Sequence, residues 1–455
     1  MIEQLSEIYF ETYGCTANQN SSEIMKGIIK SAGLNITNNL DLAELIIINS
    51  CIVKEATQEK IRRRIQDLLE NTDKKIILAG CMPRLFARID PESNMQNSER
   101  GVEYYLSKDL SPEYLGTRLF FLDTSQVKNI RELIKDIQDK IYSPDRYLKH
   151  RNETKLNLPK IPVRKFVGIT QISEGCLGEC SYCIVRLAKG KLFSYAKEEI
   201  LASIKNDLQA GCKEIWITSQ DNASYGNDDG KYLLPELLKE ILNFKERFHL
   251  RLGMMNPNNV LPILDELIEI YKHPKMFKFL HIPIQSGSNK VLKEMNRKYS
   301  REDILKIVTK FKKEIPEITI ATDIIVGYPT ETSADWNQTI DLIQQIKPEI
   351  LNRSNFSLHK KTPAEKLKSI SSEIINRRAN EIMKLHLEIC KQKQENYLGK
   401  ELSIIVDEKG FENTWLGRTE NYKLVAVQSR EKILGKKVSV KIQKVSPHYL
   451  IGNLI

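Results

Sequence analysis

The sequence predicts an α/β chain in three parts: an N-terminal parallel-sheet domain, a central partial (β/α)6 barrel and a small C-terminal antiparallel β-barrel. Three observations predict it. Short apolar runs alternate with helix-period stretches through the first part of the chain. The same alternation resumes at Phe166 and repeats six times. After Lys400 the helices stop, and short apolar runs punctuated by glycines take over. The 455 residues suffice for two or three domains with sizeable cores.

The first domain is expected over residues 1–145. Its strands begin with Ile8–Tyr13, followed by a helical pattern from Ser22 to Ala32. Leu45–Ile48 precedes Glu55–Leu69, where Ile61, Ile65, Leu68 and Leu69 share one helical face. Lys75–Ala79 precedes a further helical stretch near Leu85. Residues 146–165 carry Arg146, Lys149, Arg151, Lys155, Lys160, Arg164 and Lys165 with Pro159 and Pro162. This composition predicts a solvated basic linker that could also touch nucleic acid.

The barrel is expected over residues 166–396. Its strands are Phe166–Ser173, Glu214–Thr218, His249–Gly253, Phe277–Pro283, Ile318–Val326 and Ile350–Leu358. Helices such as Lys197–Ala210 and Arg301–Glu314 separate them, and a last helix runs from Ser372 to about Tyr397. Six units make an open barrel rather than a closed eight-fold one. Residues 397–455 contain the runs Leu402–Val406, Lys423–Val427, Lys437–Ile442 and Tyr449–Ile451, with turns at Gly410, Gly417, Gly435 and Gly452. Many RNA-binding modules have this shape, and Arg418, Trp415 and Tyr422 would be free to hold phosphates and stack bases.

The net charge of +10 and pI near 8.9 suit a phosphate-backbone partner. No apolar run approaches the roughly eighteen residues of a membrane span. The first residues lack the basic start and apolar core of a secretory signal, so a cytoplasmic location is expected. Eight cysteines scattered along the chain suit metal ligation in a reducing compartment better than a disulfide framework.

The chemistry is carried by cysteine. Cys176, Cys180 and Cys183 form a C-x3-C-x2-C run just after a strand, where α/β folds place their active sites. Three thiolates from one loop select a soft centre, and a four-iron cubane held by three sulfurs keeps one iron open. A zinc site would want a fourth Cys or His nearby, and none follows. Cys15, Cys51 and Cys81 are distant in sequence, yet each ends a strand-like run and precedes a helix. Parallel strands share one C-terminal edge, so these three can converge on a second cluster. Gly14, Ser50 and Gly80 keep the backbone slim beside them. Cys212 and Cys390 lack this context and read as structural.

These motifs resemble the methylthiotransferase family of radical S-adenosylmethionine (SAM) enzymes. The resemblance spans essentially the whole chain and rests on Tyr13-Gly-Cys15, Asn49-Ser-Cys51, Ala79-Gly-Cys-Met-Pro83, Gly175-Cys-Leu-Gly-Glu-Cys-Ser-Tyr-Cys183, His281-Ile-Pro-Ile-Gln-Ser286 and Ala321-Thr-Asp-Ile-Ile-Val-Gly327. Asn49-Ser-Cys-Ile-Val-Lys54 and Arg251-Leu-Gly-Met-Met-Asn-Pro257 resemble its archaeal and eukaryotic branch, which methylthiolates N6-threonylcarbamoyladenosine next to the tRNA anticodon. The resemblance implies a radical SAM barrel and a C-terminal TRAM-like, RNA-binding barrel. It implies two [4Fe-4S] clusters, one on Cys176, Cys180 and Cys183 that binds SAM, and an auxiliary one on Cys15, Cys51 and Cys81. Gln220, Asp221, Arg251, His281, Gln285 and Asp323, at or near barrel-strand ends, are the implied SAM contacts. The partners it implies are tRNA, through the anticodon loop, an electron donor and a sulfur source, with no membrane. One stretch departs from the family. Relatives carry an Arg-Pro-Gly-Thr-like turn after the sixth strand, and here Leu358-His-Lys-Lys-Thr-Pro-Ala364 lacks its arginine and glycine. Two alternatives remain at this point: methylthiolation of a ribosomal-protein aspartate, and a non-catalytic iron–sulfur RNA-binding protein.

Overall fold

The structure is a computed structural model that describes residues 6–84 and 112–455. It divides into two compact units. One comprises residues 1–163 with Glu174–Cys176 and Cys183–Phe193, and the other holds the rest. The stretch after Ala79 expected to be helical near Leu85 lies outside the described residues from Leu85 onward.

The first unit is built on a five-stranded parallel sheet. Its strands are β1 (Glu7–Thr12), β2 (Asn35–Thr37), β3 (Leu45–Ser50), β4 (Lys75–Gly80) and β5 (Leu119–Asp123), in the order β2-β1-β3-β4-β5. β3 is central, and its run Leu45-Ile-Ile-Ile48 is buried on both faces, as a continuous apolar strand must be. Full burial of each of these side chains contributes about 2 kcal/mol. α1 (Thr16–Ser31) and α2 (Glu55–Asn71) cover the sheet, and α2 buries Ile61, Ile65, Leu68 and Leu69, the face read from periodicity. β2 is too short to announce itself, and β5 lies beyond the sequence runs recognised in this domain.

The basic stretch 146–165 is not a solvated tether. Tyr147 and Leu148 are buried in the short helix Pro144–Leu148, and Lys155 and Leu156 are buried after it. The Ile161 amide donates to the Glu23 carbonyl at 2.9 Å, and Pro159 lies so close to α1 that a Cβ on Gly27 would meet its oxygen at 2.2 Å. Composition alone cannot reveal this, because the charges have local partners. Arg146, for example, donates to Asp136 at 2.6 Å.

The second unit contains six parallel strands in two triplets. Val167–Gln171, Glu214–Thr218 and His249–Leu252 form one, and Phe279–His281, Thr319–Val326 and Ile350–Asn355 form the other. A bridge between Leu250 and Met276 joins them into a partial barrel. The helix Ser372–Glu395 leads to a closed five-stranded barrel made of Glu401–Lys409, Thr414–Thr419, Leu424–Gln428, Leu450–Leu454 and Lys437–Val445. Gly417, where the sequence predicts a turn, lies in the strand Thr414–Thr419. That glycine sits mid-strand, where a Cβ would lie 2.6 Å from the Ile405 carbonyl oxygen, so it marks a close backbone approach.

The C-terminal barrel plugs one mouth of the partial barrel with residues expected to face RNA. Tyr422, at 6% exposure, packs on Phe277 and Phe279 with ring centroids 4.9 and 4.7 Å apart. Trp415, at 8% exposure, donates its indole N–H to the Ser429 carbonyl at 3.0 Å. Arg418 lies over the Tyr422 ring at 4.7 Å. Tyr422 fills the floor of the partial barrel and Trp415 the core of the C-terminal barrel, so neither is presented to solvent as a stacking platform, and Arg418 is half-buried. Among the described residues no helix is long and apolar enough to cross a membrane.

The same floor buries two carboxylates together. Burial, then the neighbouring Asp407 carboxylate, pushes Glu214 up to about 8, against the attraction of Arg418 and Arg164. One Glu214 oxygen accepts the Trp216 indole N–H at 3.0 Å, while Arg164 donates to Asp407 at 3.2 Å. The native state therefore keeps a proton that the unfolded chain releases above its ordinary 4.5. Glu214 stabilises the fold fully at low pH, and that contribution is lost as pH rises through the window from 4.5 to about 8. Glu214→Gln is expected to flatten the decline in denaturant midpoint across this window. A decline as steep as that of the unmodified protein would show that other groups cause it.

Candidate metal centres

The parallel register brings the first cysteine trio together. Thr12 is opposite Asn49 and Ser50 is opposite Gly80, so β1, β3 and β4 end at one edge, with Cys51 and Cys81 next in the chain and Cys15 reached after Tyr13 and Gly14. A Cβ on Gly14 would lie 2.7 Å from the Cys51 Cβ and 2.9 Å from its sulfur, and Gly14 has φ +104°. Gly80, with φ +90°, has the Asn49 Oδ1 at 2.4 Å from the same imaginary position. Only glycine lets the chain turn there. Asn18 ties the three ends together. Its amide donates to the Tyr13 carbonyl at 2.9 Å and the Ser50 carbonyl at 2.8 Å, and its oxygen lies 3.8 Å from the Cys81 sulfur.

Cys15 is exposed while Cys51 and Cys81 are buried, so the trio opens toward solvent on one side. Burial pushes the Cys81 thiol up to about 12 and raises Cys51 as well. Such thiols give up their protons to a metal centre rather than to water. Among the described residues no group of three or more His, Cys, Asp or Glu stands close enough to hold a metal ion. The donor set, the glycine-cleared backbone and the one-sided opening fit a cluster.

Behind this trio lies a group of residues that sequence reading missed. Lys155 and Lys189, each 2% exposed, both donate to the same oxygen of Glu174, at 2.7 and 2.9 Å, and Glu174 is 3% exposed. Lys189 also donates to the Thr124 hydroxyl just past β5. It ends the short helix Val185–Lys189, whose Ala188 shares a core with Cys81, Met82 and the β3–β4 face. Charged residues read as solvated in a sequence, and nothing in their spacing signals burial.

In the second trio, Cys176 and Cys183 belong to the N-terminal unit and Cys180 to the barrel unit. The Cys176 amide donates to the Gly190 carbonyl at 3.3 Å, next to Gly175, where a Cβ would meet the Lys191 carbonyl oxygen at 2.0 Å. Five of the six candidate ligands thus lie in one compact unit: Cys15, Cys51, Cys81, Cys176 and Cys183. In the barrel unit, Arg297 Nη1 donates to the Cys180 sulfur at 3.0 Å, its Nε to the Tyr299 hydroxyl at 2.8 Å and its Nη2 to the Pro283 carbonyl. Arg297 sits between two helices in a polar run, Asn296-Arg-Lys298, that reads as an ordinary loop.

The six barrel residues singled out from the sequence occupy different settings. Gln220 is half-buried in the turn after the second strand. Asp221 is buried and fully engaged. Its Oδ1 accepts the Asn256 and Ala223 amides, and its Oδ2 accepts the side chains of Asn256 at 2.9 Å and Asn259 at 2.6 Å. Burial raises its carboxyl above the usual range, while these donors oppose the shift. His281 and Asp323, on adjacent strands, meet at 2.7 Å. Gln285, with φ +69°, bonds through its backbone to Asp323 and Ile325. Arg251 lies apart from these. Its guanidinium carbon is 5.0, 4.9 and 5.3 Å from the ring centroids of Trp216, Phe279 and Tyr422, inside the barrel floor.

Comparison with known proteins agrees with this layout. Residues 170–343 match the Radical SAM superfamily, residues 7–97 the uncharacterized protein family UPF0004, and residues 395–455 the TRAM domain. A Pyrococcus horikoshii protein named "Probable threonylcarbamoyladenosine tRNA methylthiotransferase" is 34% identical, with 99% of each chain covered. A protein of the same name from Archaeoglobus fulgidus is 35% identical, with 98% of each chain covered. The human "Threonylcarbamoyladenosine tRNA methylthiotransferase" is 33% identical over 99% of this chain and 74% of its own. The chain belongs to the threonylcarbamoyladenosine tRNA methylthiotransferase family. In fold it is similar to the radical SAM methyltransferase TsrM from Kitasatospora setae, with a TM-score of 0.54 at 13% identity over 79% of this chain and 75% of that one.

Within that family the departure at Leu358–Ala364 has a structural answer. Lys361 adopts φ +64°, the left-handed conformation that glycine would take freely. The turn is closed by the Thr362 hydroxyl on the His359 carbonyl at 2.7 Å. It then delivers the Ala364 amide to the Ser181 carbonyl at 2.9 Å, inside the cysteine loop. The support this turn gives to the loop is a backbone bond, so it survives the lost side chains. The lysine carries a left-handed strain of about 1–2 kcal/mol, partly offset by the chain entropy a glycine would add. Lys361→Gly is expected to stabilise the chain by about 0.5–1 kcal/mol in denaturant unfolding, and Lys361→Val to destabilise it. Equal midpoints for both variants would mean that the turn does not hold this conformation.

Proposed function

We infer that this chain methylthiolates C2 of N6-threonylcarbamoyladenosine next to the anticodon of tRNA. Full-length relatives at 33–35% identity carry this activity in their names. The observation that carries the reading is the convergence of Cys15, Cys51 and Cys81 at adjacent strand ends, in the same compact unit as Cys176 and Cys183. A non-catalytic iron–sulfur protein would not need two such trios. The tRNA in the relatives' names favours RNA over a ribosomal-protein aspartate as substrate.

Cys176, Cys180 and Cys183 would hold one cluster, and Cys15, Cys51 and Cys81 the other. Bound there, the first supplies radical cleavage of SAM and the second the sulfur, which explains how an inert aromatic carbon is attacked. Arg297 holds the Cys180 thiolate by a charge-assisted hydrogen bond, and we assign it the cationic role at this loop. We place Gln220, Gln285 and the His281–Asp323 pair at the SAM site. Asp221 acts from behind, clamping the Asn256–Asn259 turn at the end of the third strand. Arg251 is assigned to the barrel floor, where three aromatic faces hold it.

For tRNA, Lys437, Lys441 and Lys444 are all exposed on one strand of the C-terminal barrel and suit phosphate contacts. Phe411, 83% exposed at a hairpin tip, is an aromatic that can stack on a splayed base. An electron donor and a sulfur source complete the reaction, and a tRNA substrate together with free thiols suits the cytoplasm.

Mass spectrometry of tRNA nucleosides from cells lacking the gene is expected to show 2-methylthio-N6-threonylcarbamoyladenosine disappear while its unthiolated precursor accumulates. Cys180→Ala is expected to abolish 5′-deoxyadenosine formation in the reconstituted protein. Cys51→Ala should retain that formation yet insert no sulfur. Loss of both activities in Cys51→Ala would refute the division of labour between the trios.

A further inference from the structure

The three cysteines of the C-x3-C-x2-C run lie between Glu174 and Lys189. Both flanking residues are buried, and their side chains meet: Lys189 Nζ donates to Glu174 Oε1 at 2.9 Å. The loop that carries Cys176, Cys180 and Cys183 is therefore closed across its base by a charge-assisted hydrogen bond shielded from water. Backbone contacts close the same base. The Cys176 amide reaches the Gly190 carbonyl at 3.3 Å, which is long for an N–H donor. Gly175, with φ +80°, lies so near the exit that a Cβ there would meet the Lys191 carbonyl oxygen at 2.0 Å. These backbone contacts join the two ends of the loop only to each other.

The side chains reach further. Lys189 also donates to the hydroxyl of Thr124, the residue that follows β5. Glu174 Oε1 accepts a second bond, from Lys155, at 2.7 Å. The loop base is thus fixed to the rest of its unit from both sides, the exit through Thr124 and the entry through Lys155. Lys155 and Lys189 are equally buried and share one oxygen, yet they are not equivalent. Losing Lys155 leaves the line Glu174–Lys189–Thr124 intact. Losing Lys189 removes the bond across the base and the bond to Thr124 together, while Lys155 keeps its bond to Glu174.

We propose that Lys189 is a positioning residue that fixes the base of the cysteine loop, and with it Cys176 and Cys183, to the end of β5. The proposal rests on the assignment of Cys176, Cys180 and Cys183 to a cluster. Ligands held in place by a locked supporting shell keep their metal longer than ligands on a loose loop.

The test uses the full-length chain with Cys15, Cys51 and Cys81 each changed to Ala, reconstituted with iron and sulfide, and follows the loss of cluster absorbance to an iron chelator. Lys189→Met is expected to lose its cluster roughly ten- to a hundredfold faster than this parent, the range over which supporting partners act on metal sites. Lys155→Met is expected to keep the parent's rate. Thr124→Val, which preserves shape and removes the acceptor, is expected to move in the same direction as Lys189→Met. In the complementary chain, with Cys176, Cys180 and Cys183 changed to Ala, Lys189→Met is expected to leave the rate unchanged. Equal rates for the parent and Lys189→Met overturn the proposal. Equal acceleration by Lys155→Met, or an equal effect of Lys189→Met in the complementary chain, also overturns it, because either marks a general loosening of the unit. If Lys189→Met does not fold, Thr124→Val decides, and an unchanged rate in that variant overturns the proposal. A parent that assembles no cluster defeats the assignment of the loop trio itself, a separate outcome.

Discussion

The parallel register of three strands is the constraint on which the rest of this molecule depends. Pairing Thr12 with Asn49 and Ser50 with Gly80 ends β1, β3 and β4 at nearly the same height; Cys51 and Cys81 follow their strands at once, and Cys15 follows β1 after Tyr13 and Gly14. A slip of one residue in any pair would move its cysteine along the edge and send each packed side chain to the opposite face of the sheet. The burial of Ile46, Ile47 and Ile48 therefore protects the position of Cys51 as well as the core. Stability and site geometry are here the same interaction. Gly14 and Gly80 complete it, because side chains there would occupy the space between neighbouring strand ends.

Much of this was legible in the sequence, and the reason is burial. Runs buried on both faces, such as Leu45–Ile48 and Glu214–Thr218, must be continuous and apolar, and both form strands at or near the bounds read from sequence. The six candidate ligand cysteines stand out for a different reason: thiols at strand ends have few structural uses, so position alone sets them apart. The rest was hidden where residue type and environment disagree. Gly417 looks like a turn and sits inside a strand because another backbone passes it. Trp415 and Tyr422 look like an RNA platform, and instead Trp415 fills the core of the C-terminal barrel and Tyr422 the floor of the partial barrel. Arg251 looks like a carboxylate partner and instead lies among three rings. In each case the deciding neighbour is far away in sequence.

The two mouths of the partial barrel are handled differently. The closed one is filled by contacts that need no cofactor: Arg251 over Trp216, Phe279 and Tyr422, and Arg164 and Arg418 around Glu214 and Asp407. Planar guanidinium groups suit that task, because they stack on rings and pair with carboxylates at once. The strand ends at the other mouth carry Asp221, His281, Gln285 and Asp323, polar groups held by backbone and side-chain bonds. The C-terminal barrel thus does two jobs from one position. Its inner residues seal a floor, and its outer lysines on Lys437–Val445 remain available to phosphate.

The buried lysines extend this logic to charge. An ion pair inside a protein seldom stabilises a fold more than apolar packing would, because desolvation offsets the attraction. Placing two ammonium groups on one carboxylate is worse still for stability alone. Glu174 lies two residues before Cys176 and Lys189 six after Cys183, yet both fold back against the unit that holds Cys15, Cys51 and Cys81. The chain segment that carries Cys176 and Cys183 therefore also carries two of the charges buried in this unit. A core built only for stability would place a leucine at Lys189. With Lys155 on the same Glu174 oxygen, Lys189 is instead held by hydrogen bonds that no leucine could make.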